Sequence, residues 1–309
     1  MSILLWGLAN DPPMAAVKEA LDVLRAPYLF LDQREMAETR VTLTVGRTIA
    51  GFVECAATRL SLAEITAFYL RPYDTRRLPT VAEAGEDSQL WRHALQTDEI
   101  LLAWADFADA LVINRPSSSA SNNSKPYQAT LIEAFGFAVP DSLITTDADT
   151  VLTFRSHHRD VIYKSISGVR SIVARFTDSD KSRLADVAWC PTQFQEYVTG
   201  RDYRVHVIGD EVFACEVISE ADDYRYASRG GMPVEIRRAS LGSGVESRCR
   251  MLAAGLGLPV AGIDLRRTPS GRWYCFEVNP SPGFSYYEHA TGQPLALSIA
   301  RLLMQASPS

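Results

Sequence analysis

Two oxygen-bearing side chains lie two residues apart in the segment FEVNPSPG, residues 276–283 of this chain. Glu277 and Asn279 belong to the run WYCFEVN, whose aromatic, β-branched and apolar residues predict a strand. Side chains two apart on a strand share a face, so a carboxylate and an amide oxygen would lie side by side. The prolines that follow end the strand, because proline cannot donate to the ladder. The spacing therefore predicts two rigidly held oxygen donors at a strand end.

A third oxygen donor is expected from the strand before. The segment AGIDLRRTPSGRWYCFEVN predicts a β-hairpin, and a two-residue loop within TPSG places Asp264 diagonal to Glu277 on one face. Asp264, Glu277 and Asn279 would then offer only hard oxygen ligands, which suit Mg²⁺. The residues alone leave an alternative open, in which the carboxylates pair with Arg266 or Arg272 on a solvated face.

Two lysines upstream favour the metal interpretation. Lys164 ends the strand VIY and opens SISGVRS, where Ser167 and Gly168 would fold over phosphates and present backbone N–H groups. Lys125 stands at the start of a predicted helix, beside the positive end of its dipole. Each lysine has an ordinary alternative as a solvated charge. Both together, ahead of a carboxylate pair, indicate a site for a nucleotide phosphate chain.

Composition excludes several other classes of protein. With 47% hydrophobic and 22% charged residues, the 309-residue chain is typical of a globular protein of one large domain or two to three smaller ones. A net charge of −6 argues against binding nucleic acid by general charge, and no apolar run approaches a membrane span. Five cysteines without CxxC spacing predict a reduced, cytoplasmic protein. His157 and His158 lie in a polar turn and are interpreted as surface residues.

The elements that would position these residues follow an α/β and then an α+β pattern. ILLWGL, AAVKEALDVLRA and YLFLD predict a Rossmann-like strand–helix–strand opening. The run SSSASNNS is a polar connector and marks a domain boundary. Downstream, YRVHVIGDEVFACEV predicts a hairpin that turns at Gly209 and Asp210.

From about Asn114 to Leu303 the chain resembles the ATP-grasp ligases, because four motifs follow one another in that family's order. They are SKPYQATLIEAFGFAVPDSLITT, VIYKSISGVRS, TQFQEYVTGRDYRVHVIGDEV and AGIDLRRTPSGRWYCFEVNPSPG. FEVNPSPG followed by E-x-x-T-G-x-x-x-A is similar to the RimK-type α-L-glutamate ligases. ITAFYLRPYD and LVINRPSSSASNNSKPYQ are similar to the graspetide ligases, which macrocyclise peptides in microviridin-type biosynthesis. The resemblance implies an ATP-grasp fold with a Rossmann-like pre-ATP-grasp domain at 1–116, an N-terminal subdomain at 117–190 and a C-terminal subdomain at 191–309.

For nucleotide binding, the resemblance implies that Lys125 and Lys164 hold the α- and β-phosphates of ATP, beneath the loop of Ser167 and Gly168. Adenine would bind a hinge, largely through backbone groups, and one carboxylate would reach the ribose. The hinge and ribose residues are Gln195, Glu196, Tyr197, Val198 and Asp202.

For the reaction, the resemblance implies that Asp264, Glu277 and Asn279 bind one or two Mg²⁺ ions. Arg204 would neutralise the γ-phosphate or the reaction intermediate, or else be a surface arginine on a strand. Arg266 is a similar candidate.

Substrate recognition rests on two further arginines. Arg71 lies in the segment similar to the R-R-P motif of the macrocyclases, where Leu70 replaces one arginine. It would bind an acidic substrate or form a buried structural salt bridge. Arg225, in DDYRYASRGG, would lie near the acceptor. The sequence NPSPGF also departs from the N-P-N-G-Q-W that ends the macrocyclases' metal strand.

The expected activity is an ATP-dependent carboxylate–amine or carboxylate–hydroxyl ligase. Its partners would be ATP, a carboxylate-bearing small molecule or peptide, and an amine or hydroxyl acceptor, with no nucleic acid or membrane. Two alternatives stay open, a kinase that phosphorylates a small alcohol on the same scaffold and a non-catalytic nucleotide-binding regulator. A homo-oligomer is expected by analogy alone.

Overall fold

The computed structural model describes residues 2–47, 49–55, 58–166, 173–190, 192–219 and 233–306. The N-terminal elements are β1 (Ser2–Gly7), α1 (Pro12–Val23), β2 (Tyr28–Asp32), β3 (Arg40–Val45), β4 (Ile49–Cys55), β5 (Thr58–Ser61), β6 (Ile65–Arg71), α2 (Pro79–Ala84), α3 (Gln89–Phe107) and β7 (Leu111–Ile113). Strands β2, β1, β6 and β7 form a parallel sheet in that order, and β3–β5 form a separate antiparallel sheet. The predicted Rossmann-like opening is confirmed.

Helix α1 begins where the sequence provides a cap. The Asp11 carboxylate accepts a hydrogen bond from the Met14 N–H (3.2 Å), and Pro12 and Pro13 occupy the first turn, where an N–H would have no helical partner. The helix buries Met14 and Val17 against the parallel sheet.

The middle part of the chain forms a second sheet. Its elements are α4 (Pro116–Ser119), α5 (Lys125–Ala134), β8 (Ser142–Thr145), α6 (Ala148–His157), β9 (Val161–Ser165), β10 (Ala174–Arg175) and β11 (Thr192–Glu196). The strands are antiparallel in the order β10-β9-β11-β8. One face of this sheet packs on α6 and on the 3-10 segment Asp178–Ala188 through a small apolar cluster. Its buried members are Val151, Val161, Phe176, Leu184, Val187 and Phe194.

The C-terminal part forms a larger sheet. Its elements are β12 (Arg201–Ile208), β13 (Glu211–Ser219), β14 (Val234–Ala239), α7 (Ser243–Gly255), β15 (Val260–Arg267), β16 (Trp273–Asn279), α8 (Ser285–Thr291) and α9 (Leu295–Gln305). The antiparallel order is β14-β13-β12-β15-β16, and the predicted hairpins β12–β13 and β15–β16 are both present. Alternate residues such as Val205, Ile263 and Val278 face the core beneath α7, so their neighbours face the other side. Shorter 3-10 turns span Gln33–Glu38, Leu62–Glu64, Thr75–Arg77 and Ala120–Asn123.

The spatial units differ from the predicted division at residues 116 and 190. Strand β11 was placed in the segment 191–309, but it pairs with β8 and β9, so the second sheet ends at Glu196. Helix α5 was placed in 117–190, but its Ile132 belongs to the core of the C-terminal sheet. Helix α9 buries Leu295, Ile299 and Leu303 in the N-terminal core with α1. The apolar face of a helix packs against a sheet that is near it in space. Boundaries drawn along the sequence therefore do not separate these units.

Among the described residues, none of the helices combines the length and apolarity that crossing a bilayer would require. All five cysteines lie in the described ranges, and each is a free thiol.

Candidate active site

Three charged residues form a row across adjacent strands of the C-terminal sheet. Arg204 on β12 lies directly opposite Asp264 on β15, and Asp264 lies directly opposite Glu277 on β16. The Arg204 Nη1 donates to Asp264 Oδ1 at 2.7 Å, and Arg204 is only 5% exposed. Because the alternate residues of these strands fill the core, the row faces away from the core, and Asp264 and Glu277 line a cleft on that side.

The hairpin register corrects the predicted diagonal arrangement of the two carboxylates. The loop has three residues, since the Thr268 N–H donates to the Arg272 carbonyl (2.9 Å) and Gly271 adopts a left-handed φ of 87°. A bulge at Phe276 then shifts the register by one more residue. The extra loop residue and the bulge together bring Glu277 directly opposite Asp264. Two carboxylates in this relation offer only oxygen atoms to a shared ion, so the donor set fits Mg²⁺.

The cleft lies between the two antiparallel sheets and is open to solvent. The C-terminal sheet contributes Asp264 and Glu277, and the facing sheet contributes Lys164, whose Nζ lies 3.5 Å from Gln195 Oε1. Lys125, the first residue of α5, also lines the cleft. The structure thus brings both predicted lysines to one cleft with the predicted carboxylates.

The hinge between the sheets follows β11. The N–H groups of Glu196 and Tyr197 donate to the carbonyls of Asp141 and Asp160, both at 2.9 Å. Within the part of the chain that the structure describes, the Val198 N–H has no such acceptor, and Val198 lines the cleft. Of the predicted hinge residues, Val198 therefore has the amide best suited to an adenine acceptor nitrogen.

Arg266 and Asp202 were predicted as a catalytic and a ribose-binding residue, and the structure pairs them with each other. Arg266 Nε and Nη2 donate to the two carboxylate oxygens of Asp202 at 2.6 and 2.8 Å, and Nη1 donates to the Val198 carbonyl at 2.8 Å. Such a bidentate pair fixes the guanidinium in one orientation. In this arrangement Arg266 holds the end of the hinge against β12, and both residues still line the cleft.

Asn279 and Arg71 meet at the segment after β16. The Asn279 Oδ1 accepts a hydrogen bond from the Ser281 N–H (2.9 Å), and a carbonyl oxygen with two lone pairs can also bind a cation. Arg71 bonds Asp11 (2.7 Å), the Ser281 hydroxyl (2.9 Å) and the Pro282 carbonyl (3.2 Å). Of its two predicted roles, the bond to Asp11 matches the structural salt bridge, which lies within the N-terminal domain. The hydrogen bonds to Ser281 and Pro282 join this domain to the segment after the metal strand.

Two buried amide side chains were not among the predicted site residues. Gln128, one turn after Lys125, donates to the Val278 carbonyl (2.8 Å) and accepts from the Val278 N–H (2.9 Å). Asn114 donates to the carbonyls of Val260 (2.6 Å) and Pro280 and accepts from the Val260 N–H (3.2 Å). Both residues lie in the quoted segment LVINRPSSSASNNSKPYQ, so the motif contained them, but their role depends on contacts with strands about 150 residues away.

Next to the charged row lies a neutral histidine. His206 is fully buried on β12, with its ring centroid 5.2 Å from that of Tyr287. Burial, and then the positive charge of Arg204, lower the pKa of His206 well below its ordinary value. The row therefore gains no further positive charge from this imidazole near pH 7. Ser167, Gly168 and Arg225, predicted for the phosphate loop and the acceptor, lie outside the described residues.

Comparison with known proteins shows the family to which the chain belongs. The sequence model of the RimK-like ATP-grasp domain matches residues 129–303, and the chain belongs to this family. A probable alpha-L-glutamate ligase of Pasteurella multocida is 30% identical over 180 residues, which are 55% of this chain and 56% of that protein. The chain thus spans little more than half the length of this curated relative.

Solved structures extend the similarity over the whole chain. The macrocyclase MdnC of Microcystis aeruginosa MRC, bound with precursor peptide MdnA, superposes with a TM-score of 0.82 at 20% identity, covering 98% of this chain and 99% of that one. The ATP-grasp ligase PsnB, complexed with a minimal precursor, Mg and ADP, gives a TM-score of 0.78 at 26% identity, covering 98% and 96%. These likenesses confirm the predicted ATP-grasp fold.

Proposed function

We propose that this protein is an ATP-dependent ligase that activates a carboxylate as an acyl phosphate and joins it to an amine or hydroxyl. The observation that carries the proposal is the row Arg204–Asp264–Glu277, which faces Lys164 across the cleft. A kinase and a ligase would share this site up to phosphoryl transfer. The chain belongs to a family whose curated relatives are named ligases, and this favours the ligase over the kinase.

The lysines of the cleft and the residues of the row have different tasks in the proposed reaction. Lys125 and Lys164 neutralise the phosphate chain, and Arg204, held by Asp264, presents a fixed positive charge where the γ-phosphate would lie. Asp264, Glu277 and Asn279 would hold one or two Mg²⁺ ions. When bound, Mg²⁺ supplies charge neutralisation between the phosphates.

Binding of the rest of the nucleotide depends on the hinge. The Val198 N–H would donate to adenine, and Asp202, fixed by Arg266, would accept from the ribose hydroxyls. The substrate carboxylate attacks the γ-phosphorus and ADP leaves. The amine or hydroxyl then attacks the acyl carbon and gives up a proton, and free phosphate leaves as the amide or ester forms. The two sheets hold these reactants close together, which supplies much of the acceleration.

A peptide is the proposed carboxylate-bearing substrate. The similar structures of MdnC and PsnB are complexes with precursor peptides, and both match nearly the full length of this chain. Five free cysteines agree with a reaction in the cytoplasm. The predicted homo-oligomer stays a prediction.

The test is the release of ADP and phosphate from Mg²⁺-ATP with acidic peptides, with hydroxylamine added to trap the acyl phosphate as a hydroxamate. We expect Glu277→Gln to abolish hydroxamate formation. Glu235→Gln is the matched control, because Glu235 lies on β14 of the same sheet, is exposed and pairs with Arg237 (2.5 Å). ADP without free phosphate would establish a kinase instead, and full activity in Glu277→Gln would refute the proposed metal site.

A further inference from the structure

Asp141, His158 and Glu196 meet on the face of the second sheet that lies opposite the cleft. Along β11, Gln195 points to Lys164 in the cleft, whereas Glu196 shares the other face with Phe194. His158 follows helix α6 on that face, and Asp141 immediately precedes β8. One donor atom from each of the three residues lies within 4.8 Å of the others.

The His158 ring lies between the two carboxylates, and each of its nitrogens is close to one of them. His158 Nε2 lies 3.8 Å from Asp141 Oδ2, and His158 Nδ1 lies 3.7 Å from Glu196 Oε2. Both distances exceed the usual range of a hydrogen bond. Donors at bond lengths of about 2.0–2.2 Å around a tetrahedral ion are separated by about 3.3–3.6 Å. One donor atom of each residue lies within 4.8 Å of the others, so the imidazole and at least one carboxylate would move closer together on binding an ion.

The three side chains are already held in place by their surroundings. The His158 side chain is 16% exposed, and its ring packs on Phe154 with centroids 4.3 Å apart. Glu196 Oε1 accepts from the Asp141 N–H (3.3 Å), and the Glu196 N–H donates to the Asp141 carbonyl (2.9 Å). His157 is exposed as predicted, whereas His158, also interpreted as a surface residue, keeps only 16% of its side chain exposed.

Charge and stability both favour a divalent ion at this place. Two carboxylates and a neutral imidazole carry two negative charges, and this mixed nitrogen and oxygen set suits Zn²⁺ and related transition ions rather than Mg²⁺. Arg155 lies nearby, but its Nη1 donates to the carbonyls of His158 (3.2 Å) and Arg159. Among the described residues, six buried side chains form the apolar cluster of the second sheet, so a bound ion would add a further link between its elements.

We propose that Asp141, His158 and Glu196 bind a divalent transition metal ion such as Zn²⁺, with water completing the shell. This site shares no residue with the proposed Mg²⁺ site, although Glu196 also lines the cleft, and it does not depend on the ligase activity. It links the end of α6, the start of β8 and the residue next to the hinge. Occupancy would therefore stiffen the hinge and raise the affinity for ATP.

The test uses the full-length, untagged protein after removal of metals by chelation. Zn²⁺ alone is titrated in excess Mg²⁺ by calorimetry, and Co²⁺ serves as an absorbance probe of the ligand geometry. His158→Asn removes the proposed ligand. His157→Asn is the matched control, since His157 is exposed and its Nδ1 bonds the Thr153 carbonyl at 2.8 Å. Asp141→Asn provides a second variant at an exposed position, where a failure to fold is not expected.

We expect the wild type and His157→Asn to bind one Zn²⁺ with a rise in melting temperature. In His158→Asn and Asp141→Asn, the affinity should fall at least about tenfold and the melting-temperature rise should disappear. Equal affinity in all four proteins would mean that Zn²⁺ binds elsewhere, for example at the exposed thiol of Cys190, and would overturn the proposal. Absence of binding to the wild type would overturn it as well.

Discussion

Because Gly262 has no side chain, the Arg204 guanidinium can occupy the space next to it. A Cβ added at residue 262 would lie 2.2 Å from Arg204 Nη2 and 2.7 Å from Pro282 Cβ. Gly262 stands on β15, two residues before Asp264 and on the same face, and it has no left-handed φ that would itself require glycine. The backbone of β15 could therefore adopt the same conformation with alanine at residue 262. The neighbouring side chains, however, leave no room for the added methyl group.

The size of the effect follows from these two contacts. The guanidinium would have to retreat by more than 1 Å to restore van der Waals distance at about 3.4 Å. Arg204 is buried, with Tyr287 5.7 Å above it, and Pro282 has a rigid ring. Overpacking of this kind costs about 1–3 kcal/mol of unfolding free energy. Displacing a positioned charge from the transferring phosphoryl group should lower kcat by about 10²–10³-fold.

The assay is hydroxamate formation at saturating ATP, together with urea unfolding monitored by circular dichroism. Gly244→Ala is the matched control, because a Cβ there meets nothing within 4 Å and the residue lies in helix α7. This control should gain up to about 1 kcal/mol of stability and keep its kcat, since alanine favours the helix. A Gly262→Ala enzyme with wild-type kcat and stability would refute the assigned position and role of Arg204.

Three further predictions follow from buried polar groups. Gln128→Met should lower the unfolding free energy by about 2–6 kcal/mol in urea melts, because the N–H and carbonyl of Val278 both lose the bonds made by an amide that is 2% exposed. A loss below about 1 kcal/mol would contradict a stabilising role for these two hydrogen bonds. Arg71→Met should lower stability by about 1–3 kcal/mol through the loss of its bond to Asp11, whereas a rise in substrate KM at unchanged stability would show that Arg71 binds substrate instead. Burial raises the pKa of Asp98 from 3.8 to about 6. The folded state therefore binds the proton more tightly, so stability should rise as pH falls from 7 through 6 towards 4, and Asp98→Asn should remove that pH dependence.

Much of the fold was readable from local patterns. The alternation of apolar residues in ILLWGL, YRVHVI and WYCFEVN predicted strands that the structure contains. The order of the motifs predicted the family, which the comparisons confirm. Both predictions depend on patterns within short segments, and such patterns can be recognised in a single sequence.

The register of the metal-site hairpin was not readable in this way. The predicted two-residue loop placed Asp264 diagonal to Glu277, whereas a three-residue loop and a bulge at Phe276 place them directly opposite. Each change adds one residue to one side of the ladder. Because a shift of one residue reverses the face of every side chain, two shifts restore the same face in a closer arrangement.

By itself, the sequence determined which residues are candidates for the chemistry and the order in which they come. The two lysines, the hinge and the Asp264/Glu277 pair all line one cleft. Only the tertiary structure decided which carboxylate each of the arginines pairs with and where it is held. Arg204 is oriented by Asp264, while Arg71 bonds the loop after β16. The local sequence of a strand does not indicate the role of an arginine in it. That role depends on partners that can lie more than 200 residues away in the chain.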